Sequence, residues 1–537
     1  MRKNKEGFVD SVISLMLSQG IIKIFGLAYS MYLINKEGFG DRGNAIYMGG
    51  YQIYVLLLTI SSIGVPNAVA KLIAEKVAVK DYNGADKIFK IAFFSFGVIG
   101  FFGTILLFFS AKYISNTILL IPECEYSLIA LSPSIFLVSI SSVIRGYFNG
   151  ISQISKTAKS QTIEQIFKSF LTIVLVEFLS TISKNTTSMA SIANFASTCA
   201  ILVSFIYILN SYIKLRKIQM IEKIKFSNAS RENSIEILKR IFAVSIPITI
   251  SAVLGTLNKN IDSITVVRIL TPILGEKVAK LKYGILSSKI DILTVMPLSF
   301  NIAFATALVP TISSAFARND IKTINSKLSF SLLISCIIAF PSAIGLSLYS
   351  KQILNLLFPN SSSGGDLLKI SAFSIIFMSI NQTINGALHG MGKTKISILV
   401  STLGLIVKLV LNIILIPIIN IYEKGAIIAN LFSSFISFIV TWNVLKISIK
   451  INFNFLNLIT KPLTASIIMG ISSYNVYLAL IGYGVTEKIS TIFGIIFAIL
   501  IYIILLLVLR IFSKKDLLLL PNGEKLYKFL KRVKIYY

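Results

Sequence analysis

Charge is scarce in this chain, and negative charge scarcer still. Of 537 residues only 14% are Asp, Glu, Lys or Arg, and the 23 acidic ones are outnumbered by 52 basic ones. A soluble domain of ordinary composition carries about 25% charged residues. With 55% hydrophobic residues and a mean hydropathy of +0.80, a water-soluble fold is excluded. Histidine occurs once, as His389, and the three cysteines, Cys124, Cys199 and Cys336, show no Cys-x-x-Cys spacing. Neither zinc chemistry nor a disulfide framework is indicated by these residues. The basic Met1–Glu6 leads into an apolar stretch that runs to about Ile34 without a small-residue cleavage signature, so it reads as a retained first span.

What is present is a succession of apolar runs, each long enough to cross roughly 30 Å of hydrocarbon as a helix. There are fourteen, from about 11–34 and 45–70 through 461–483 and 489–511. The fold class is therefore all-α, a polytopic membrane protein. The net charge of +29 lies mostly in the loops, where it indicates orientation and anionic lipid, and not nucleic acid. Basic residues concentrate on one side: Arg2, Lys3 and Lys5; Lys71 to Lys90; Arg145, Lys156 and Lys159; Lys214 to Arg240; Arg318 to Lys327; Lys393 and Lys395; and a tail from Lys514 to Lys534. The opposite loops carry single lysines at Lys112, Lys184, Lys424 and Lys488. An even span count with this asymmetry puts both termini in the cytoplasm. The loop after span seven, with Arg268, Lys277, Lys280 and Lys282, runs against the rule.

An internal repeat supports the count. Arg145-Gly146-Tyr147-Phe148-Asn149-Gly150 follows span four and Asn385-Gly386-Ala387-Leu388-His389-Gly390 follows span ten, an offset of 240 that Lys168 and Lys408 share. A second echo, Gly64-Val65-Pro66-Asn67-Ala68 against Leu308-Val309-Pro310-Thr311-Ile312, has an offset of 244. Copies six spans apart have the same orientation, which predicts two parallel six-helix lobes with a cavity between them. The expected organisation is an N-lobe over 1–225, a C-lobe over 226–450, two further spans over 451–512 and a basic tail over 513–537.

The polar residues inside spans are the candidate site, because an ionised side chain at the helix centre costs about 2.5–3.5 kcal/mol on insertion scales. Lys23 stands in the middle of span one. Asn258 and Asp262 are four apart and share a face of span seven, with Lys259 between them and Arg268 downstream. Asp262 is a candidate to bind a coupling cation, Na+ or H+, with an ion pair to Lys259, three residues before it, as the alternative. Lys289 and Asp291 open span eight, as cavity or rim. Glu164 and Lys168 are four apart in span five, which reads as a structural ion pair, with proton coupling at Glu164 as the alternative. The Gly-x-x-x-Gly runs read as close helix packing. Ala387-Leu388-His389-Gly390-Met391-Gly392-Lys393-Thr394 is one residue from a phosphate-binding loop but sits between two spans, so ATP binding is rejected.

The segments Ser61-Ser62-Ile63-Gly64-Val65-Pro66-Asn67-Ala68-Val69-Ala70-Lys71-Leu72, Arg145 to Gly150 running into Gln161 and Glu164-Gln165, and Ile261-Asp262-Ser263 resemble the multidrug/oligosaccharidyl-lipid/polysaccharide exporter superfamily. Within it the chain resembles the polysaccharide-biosynthesis branch that holds SpoVB-like proteins and MurJ-type lipid II flippases. The resemblance implies alternating access, a cationic central cavity for a lipid-linked sugar pyrophosphate, and a groove at spans thirteen and fourteen for the prenyl tail. Lipid II flippases carry arginines in spans one and two; here those places read Lys23, Tyr29-Ser30 and Gln52. The expected function is a non-enzymatic flippase for an undecaprenyl-pyrophosphate-linked glycan in the bacterial cytoplasmic membrane, acting as a monomer on a lipid-linked oligosaccharide among membrane lipids. Its alternatives are an ion-coupled multidrug efflux transporter that exchanges at Asp262, and an enzyme acting on lipid-linked sugars. Candidate substrate-binding residues are Lys23, Gln52, Asn258, Asp262, Arg268 and Lys289, with Asp262 and Glu164 for ion coupling and no metal ligands.

Overall fold

The computed structural model describes residues 8–62, 64–79, 81–151, 153–183, 185–221, 233–449, 451, 453 and 455–512. Among these there are eighteen α-helices and no strand. They form two compact units, Met1–Ser288 with Asn412–Glu423, and Lys289–Leu411 with Lys424–Tyr537. The first contains α1 (Phe8–Asn35), α2 (Gly40–Ser62), α3 (Gly64–Ala78), α4 (Tyr82–Tyr113), α5 (Cys124–Gly150), α6 (Ile154–Ile182), α7 (Thr186–Ile221), α8 (Ser234–Leu274) and α9 (Glu276–Ile285). The second contains α10 (Asp291–Ala317), α11 (Ile321–Leu348), α12 (Ser350–Leu357), α13 (Gly365–Ser371), α14 (Ser374–Gly390), most of α15 (Thr394–Leu415), α16 (Glu423–Ser448), α17 (Phe455–Gly482) and α18 (Glu487–Val508).

Thirteen helical segments are long and apolar enough to cross a membrane, and α1 lies on the remaining apolar run. Each of the fourteen apolar runs thus lies on a helix, and the chain is a multi-pass membrane protein. Among the basic stretches, Arg2 to Lys5, Lys223 to Arg231 and Lys514 to Lys534 lie outside the described residues. In residues 487–508 only 17% of the most apolar window is buried by protein, against 72% in residues 124–150. The first is a lipid-facing helix. The second is the centre of its unit.

The repeat reappears as repeated packing. In the first unit a Cβ on Gly146 would stand 2.9 Å from the Pro66 carbonyl oxygen, and one on Gly150 2.9 Å from that of Ala70. In the second a Cβ on Gly386 would stand 2.5 Å from the Ala305 oxygen, and one on Gly390 2.8 Å from that of Val309. Small residues one turn apart let α5 lie against α3, and α14 against α10, at backbone distance. Helix starts repeat too: Asp81 accepts the Gly84 amide at 2.7 Å before α4, and Asp320 accepts the Thr323 amide at 3.0 Å before α11. These pairings relate Pro66 to Ala305, Ala70 to Val309 and Asp81 to Asp320, an offset of 239 each time. The second echo, at 244, is therefore displaced by more than one helical turn from the contacts that matter. Local resemblance around a proline outweighed register there.

Packing and repeat do not divide the chain at the same place. The repeat counts α8 with the second half, yet α8 packs on α2, α3, α4 and α9 of the first unit. Gly64 permits part of this, because a Cβ there would collide with Thr249 and the Ser245 carbonyl of α8. The basic residues after span seven also find their reason here. Lys280 is ion-paired with Glu123 and Glu276, each at 2.5 Å, and Lys282 with Glu423 at 2.6 Å. Loop counting treats every lysine as a free charge, and these two are neutralised by carboxylates.

Candidate substrate site

In the first unit α1 packs along α6. The Ser169 hydroxyl donates to the Phe25 carbonyl at 3.1 Å, which stitches the two helices at membrane depth. Lys23, one turn before Gly26, is half-buried and lies within electrostatic reach of the Lys259 ammonium on α8. Two turns along α1, the Tyr29 hydroxyl shares a 3.5 Å hydrogen bond with that of Tyr47 on α2.

Tyr47 and Tyr51 are four apart on α2, and their rings stack at 5.8 Å with 9° between planes. Against them lies Lys168 of α6. Its Nζ is 4.1 Å from the Tyr51 ring centroid, 5.2 Å from Tyr29 and 6.0 Å from Tyr47, and the residue is only 7% exposed. Three rings from two helices thus surround one ammonium. Gln52, next to this cage in sequence, is buried.

The expected ion pair of Glu164 with Lys168 does not form. Glu164 instead accepts from Arg145 of α5 at 2.8 Å, and the same guanidinium donates to Ser160 at 3.0 Å and Ser204 at 2.9 Å. The physical reason is the number of donors: an arginine fork satisfies the carboxylate and two hydroxyls at once, which one ammonium four residues away cannot match. Lys168 is left to the tyrosines.

Asp262 is half-buried on α8 and accepts the Asn412 side-chain amide at 3.0 Å, while the same amide nitrogen is 2.9 Å from the Thr265 hydroxyl. Asn412 belongs to the first unit by packing. Asn258 is half-buried one turn before Asp262, on the same face. Arg268 is exposed and donates to the Thr117 carbonyl at 3.5 Å, two turns from Asp262. In the second unit Lys289 is completely buried, and its ammonium donates to the Ser361 carbonyl at 2.6 Å and to the hydroxyls of Ser361 and Ser363 at 3.2 and 3.3 Å. It thereby fastens the loop before α13. Lys408, at the position the repeat matches to Lys168, is also buried.

Lys23, Gln52, Glu164, Asn258, Asp262 and Arg268 thus belong to one compact unit and Lys289 to the other. Sequence reasoning missed Asn412 and the three tyrosines. The available signals were an asparagine inside an apolar run and the 47, 51, 54 spacing of tyrosines on one helix face.

A family model described as "Polysaccharide biosynthesis protein" matches residues 8–316, more than half of the chain. The chain belongs to the polysaccharide biosynthesis protein family. In this family member a second model, MatE, matches residues 247–414. The chain is similar to Stage V sporulation protein B of Bacillus subtilis, with 24% identity over 96% of this chain and 98% of that one. It is similar also to the lipid II flippase MurJ of the same organism, with 25% identity over 77% and 78%. Among solved structures, the lipid II flippase MurJ in an inward closed conformation matches with a TM-score of 0.70, 18% identity, and coverage of 92% of this chain and 98% of that one. An inward-facing multidrug resistance MATE family transporter of the MOP superfamily matches at 0.64 and 14% identity, over 81% and 98%. The fold is that of the MurJ and MATE transporters.

Proposed function

We propose that this protein is a flippase that carries an undecaprenyl-pyrophosphate-linked glycan from the cytoplasmic to the outer leaflet of the bacterial cytoplasmic membrane by alternating access. The observation that carries the reading is Lys23, an ammonium-bearing side chain half-buried in an apolar helix of a chain that belongs to the polysaccharide biosynthesis protein family. Such a charge costs about 2.5–3.5 kcal/mol to insert, and a pyrophosphate offsets that cost where a neutral drug would not. The family, and relatives named for lipid II flipping and sporulation, support a lipid-linked glycan as the cargo class. Positive-inside counting supports cytoplasmic termini.

With the inside negative, moving an anion outward gains about 2.3 kcal/mol per charge per 100 mV, and the same field returns a cationic binding face inward. A coupling cation, Na+ or H+, would act at Asp262, whose carboxylate already gathers the Asn412 amide. Glu164 is tied to Arg145 and is the weaker candidate for that role. No ATP enters this scheme, and the protein acts as a monomer.

The test is complementation in cells depleted of their own lipid II flippase, with lipid II in the outer leaflet assayed by a membrane-impermeant label. Restored exposure that is lost in Lys23→Ala, with the variant still inserted, supports the reading with lipid II as cargo. Failure of well-expressed protein to restore exposure moves the cargo to another lipid-linked polysaccharide precursor. Full flipping by Lys23→Ala removes the basis of the reading.

A further inference from the structure

Lys168 is the least expected charge in the first unit. Its ammonium is buried, and among the described residues no carboxylate pairs with it, since Glu164 is held by Arg145. What opposes it is three aromatic rings, the nearest at 4.1 Å. For packing alone a methionine of similar length would fill the place without a desolvation cost. The surroundings are graded. Tyr47 is enclosed, stacked beneath Tyr51 and fixed through its backbone carbonyl, which accepts from Asn194 at 3.2 Å. Tyr29 and Tyr51 are half-buried. The cage therefore has an enclosed back wall and two partly exposed front rings.

We propose that Lys168 and the rings of Tyr29 and Tyr51 form the subsite that grips the sugar pyrophosphate of the cargo, an inference that rests on the lipid-linked glycan reading above. Aromatic faces offer a broad apolar platform that matches the C–H face of a pyranose ring, and an adjacent ammonium answers the phosphate that follows it. A cation–π contact is weaker than a charge-assisted bond to a phosphate oxygen. The lysine's flexible four-carbon stem lets its ammonium swing from the Tyr51 face to the pyrophosphate, while a sugar takes the face it leaves. The exchange makes the cage selective, because a lipid pyrophosphate without a sugar gains the ion pair and forgoes the stacking.

The test uses the purified full-length protein in nanodiscs, and native mass spectrometry to obtain Kd for two probes, undecaprenyl pyrophosphate and undecaprenyl-pyrophosphoryl-N-acetylglucosamine. The wild-type protein should prefer the glycosylated probe at least fivefold. Tyr51→Ala should bring that preference below twofold, Lys168→Met should weaken both probes at least tenfold, and Lys168→Arg should recover to within threefold of wild type. Should Lys168→Met fail to fold, the Lys168→Arg and Tyr51→Ala results decide alone. Wild-type binding of both probes by Lys168→Met and Tyr51→Ala, alongside loss in Lys23→Ala, overturns the subsite and leaves the flippase reading standing. Absence of binding by the wild-type protein overturns both.

Discussion

The two units share a scaffold and differ in what they bury. Each lays a Gly-x-x-x-Gly helix on an earlier helix at backbone distance, α5 on α3 and α14 on α10, and each opens a span with an aspartate that caps the third amide onward. At the positions that carry charge, an offset of 240 relates Arg145 to Asn385, Glu164 to Gly404, Lys168 to Lys408 and Thr172 to Asn412. In the first unit these build a guanidinium–carboxylate–hydroxyl network. In the second, the glycine carbonyl at 404 accepts the Ser433 hydroxyl at 2.7 Å, and Asn385 accepts from Ser397 at 2.7 Å. Packing is retained where both halves need the same helix contacts, and both bury a lysine at the 168/408 position, while the hydrogen-bond chemistry diverges at Arg145 against Asn385 and Glu164 against Gly404.

That comparison breaks most sharply at the ion pair. Arg145→Ala leaves Glu164 in a largely enclosed position without its donor, which should cost about 3 kcal/mol, the low end for a buried pair because Glu164 keeps some exposure. Asn385→Ala at the matching position removes one neutral bond and should cost about 1 kcal/mol. Thermal unfolding in detergent distinguishes them, and equal losses would mean that the halves are chemically equivalent. Next in size are the glycines. Gly386→Ala should destabilise by more than Gly146→Ala, within the roughly 1–3 kcal/mol of overpacking, because its Cβ meets carbonyl oxygen at 2.5 Å and not 2.9 Å. The reverse order would place the tighter helix contact in the first unit.

Smaller still is the effect of Asn412→Ala. It removes one donor from Asp262 and should cost about 1 kcal/mol in stability. A Na+ or pH dependence of transport that changes in this variant would tie Asp262 to coupling, and an unchanged dependence would argue against that role. The smallest effect concerns pH. Burial pushes the Glu123 carboxyl up, but the hydrogen bond and charge of Lys280, with Arg42 beyond, outweigh burial and hold it below the usual range. A carboxylate depressed on folding stabilises above its unfolded value and loses that contribution as pH falls through its folded one. Stability of the wild type should therefore fall on acidification below the ordinary carboxylate range by more than that of Glu123→Gln, read as melting temperature against pH. Parallel curves would show that Lys280 relies on Glu276 instead.

Much of this was legible beforehand, for reasons of distance along the chain. Apolar runs, the glycine pairs and the 240 offset are local patterns, and each lies on a helix or at a helix contact. The cage was not legible, because it requires α1, α2 and α6 to meet, and no spacing within one helix shows that Tyr29, Tyr47 and Lys168 converge. Glu164 misled for the same reason. Its local neighbour at four residues was visible, while its actual partner, 19 residues back on α5, became a neighbour only through packing. Likewise Asn412, 150 residues beyond Asp262, returns to the first unit between the two stretches that build the second.

The most direct measurement of the central claim is flipping in proteoliposomes: undecaprenyl-pyrophosphoryl-N-acetylglucosamine placed in one leaflet, with appearance in the opposite leaflet followed under an imposed potential, negative on the starting side. The account predicts movement that requires the protein, accelerates with the potential and falls at least tenfold in Lys23→Ala. Movement at the protein-free rate, or at the wild-type rate in Lys23→Ala, would contradict it.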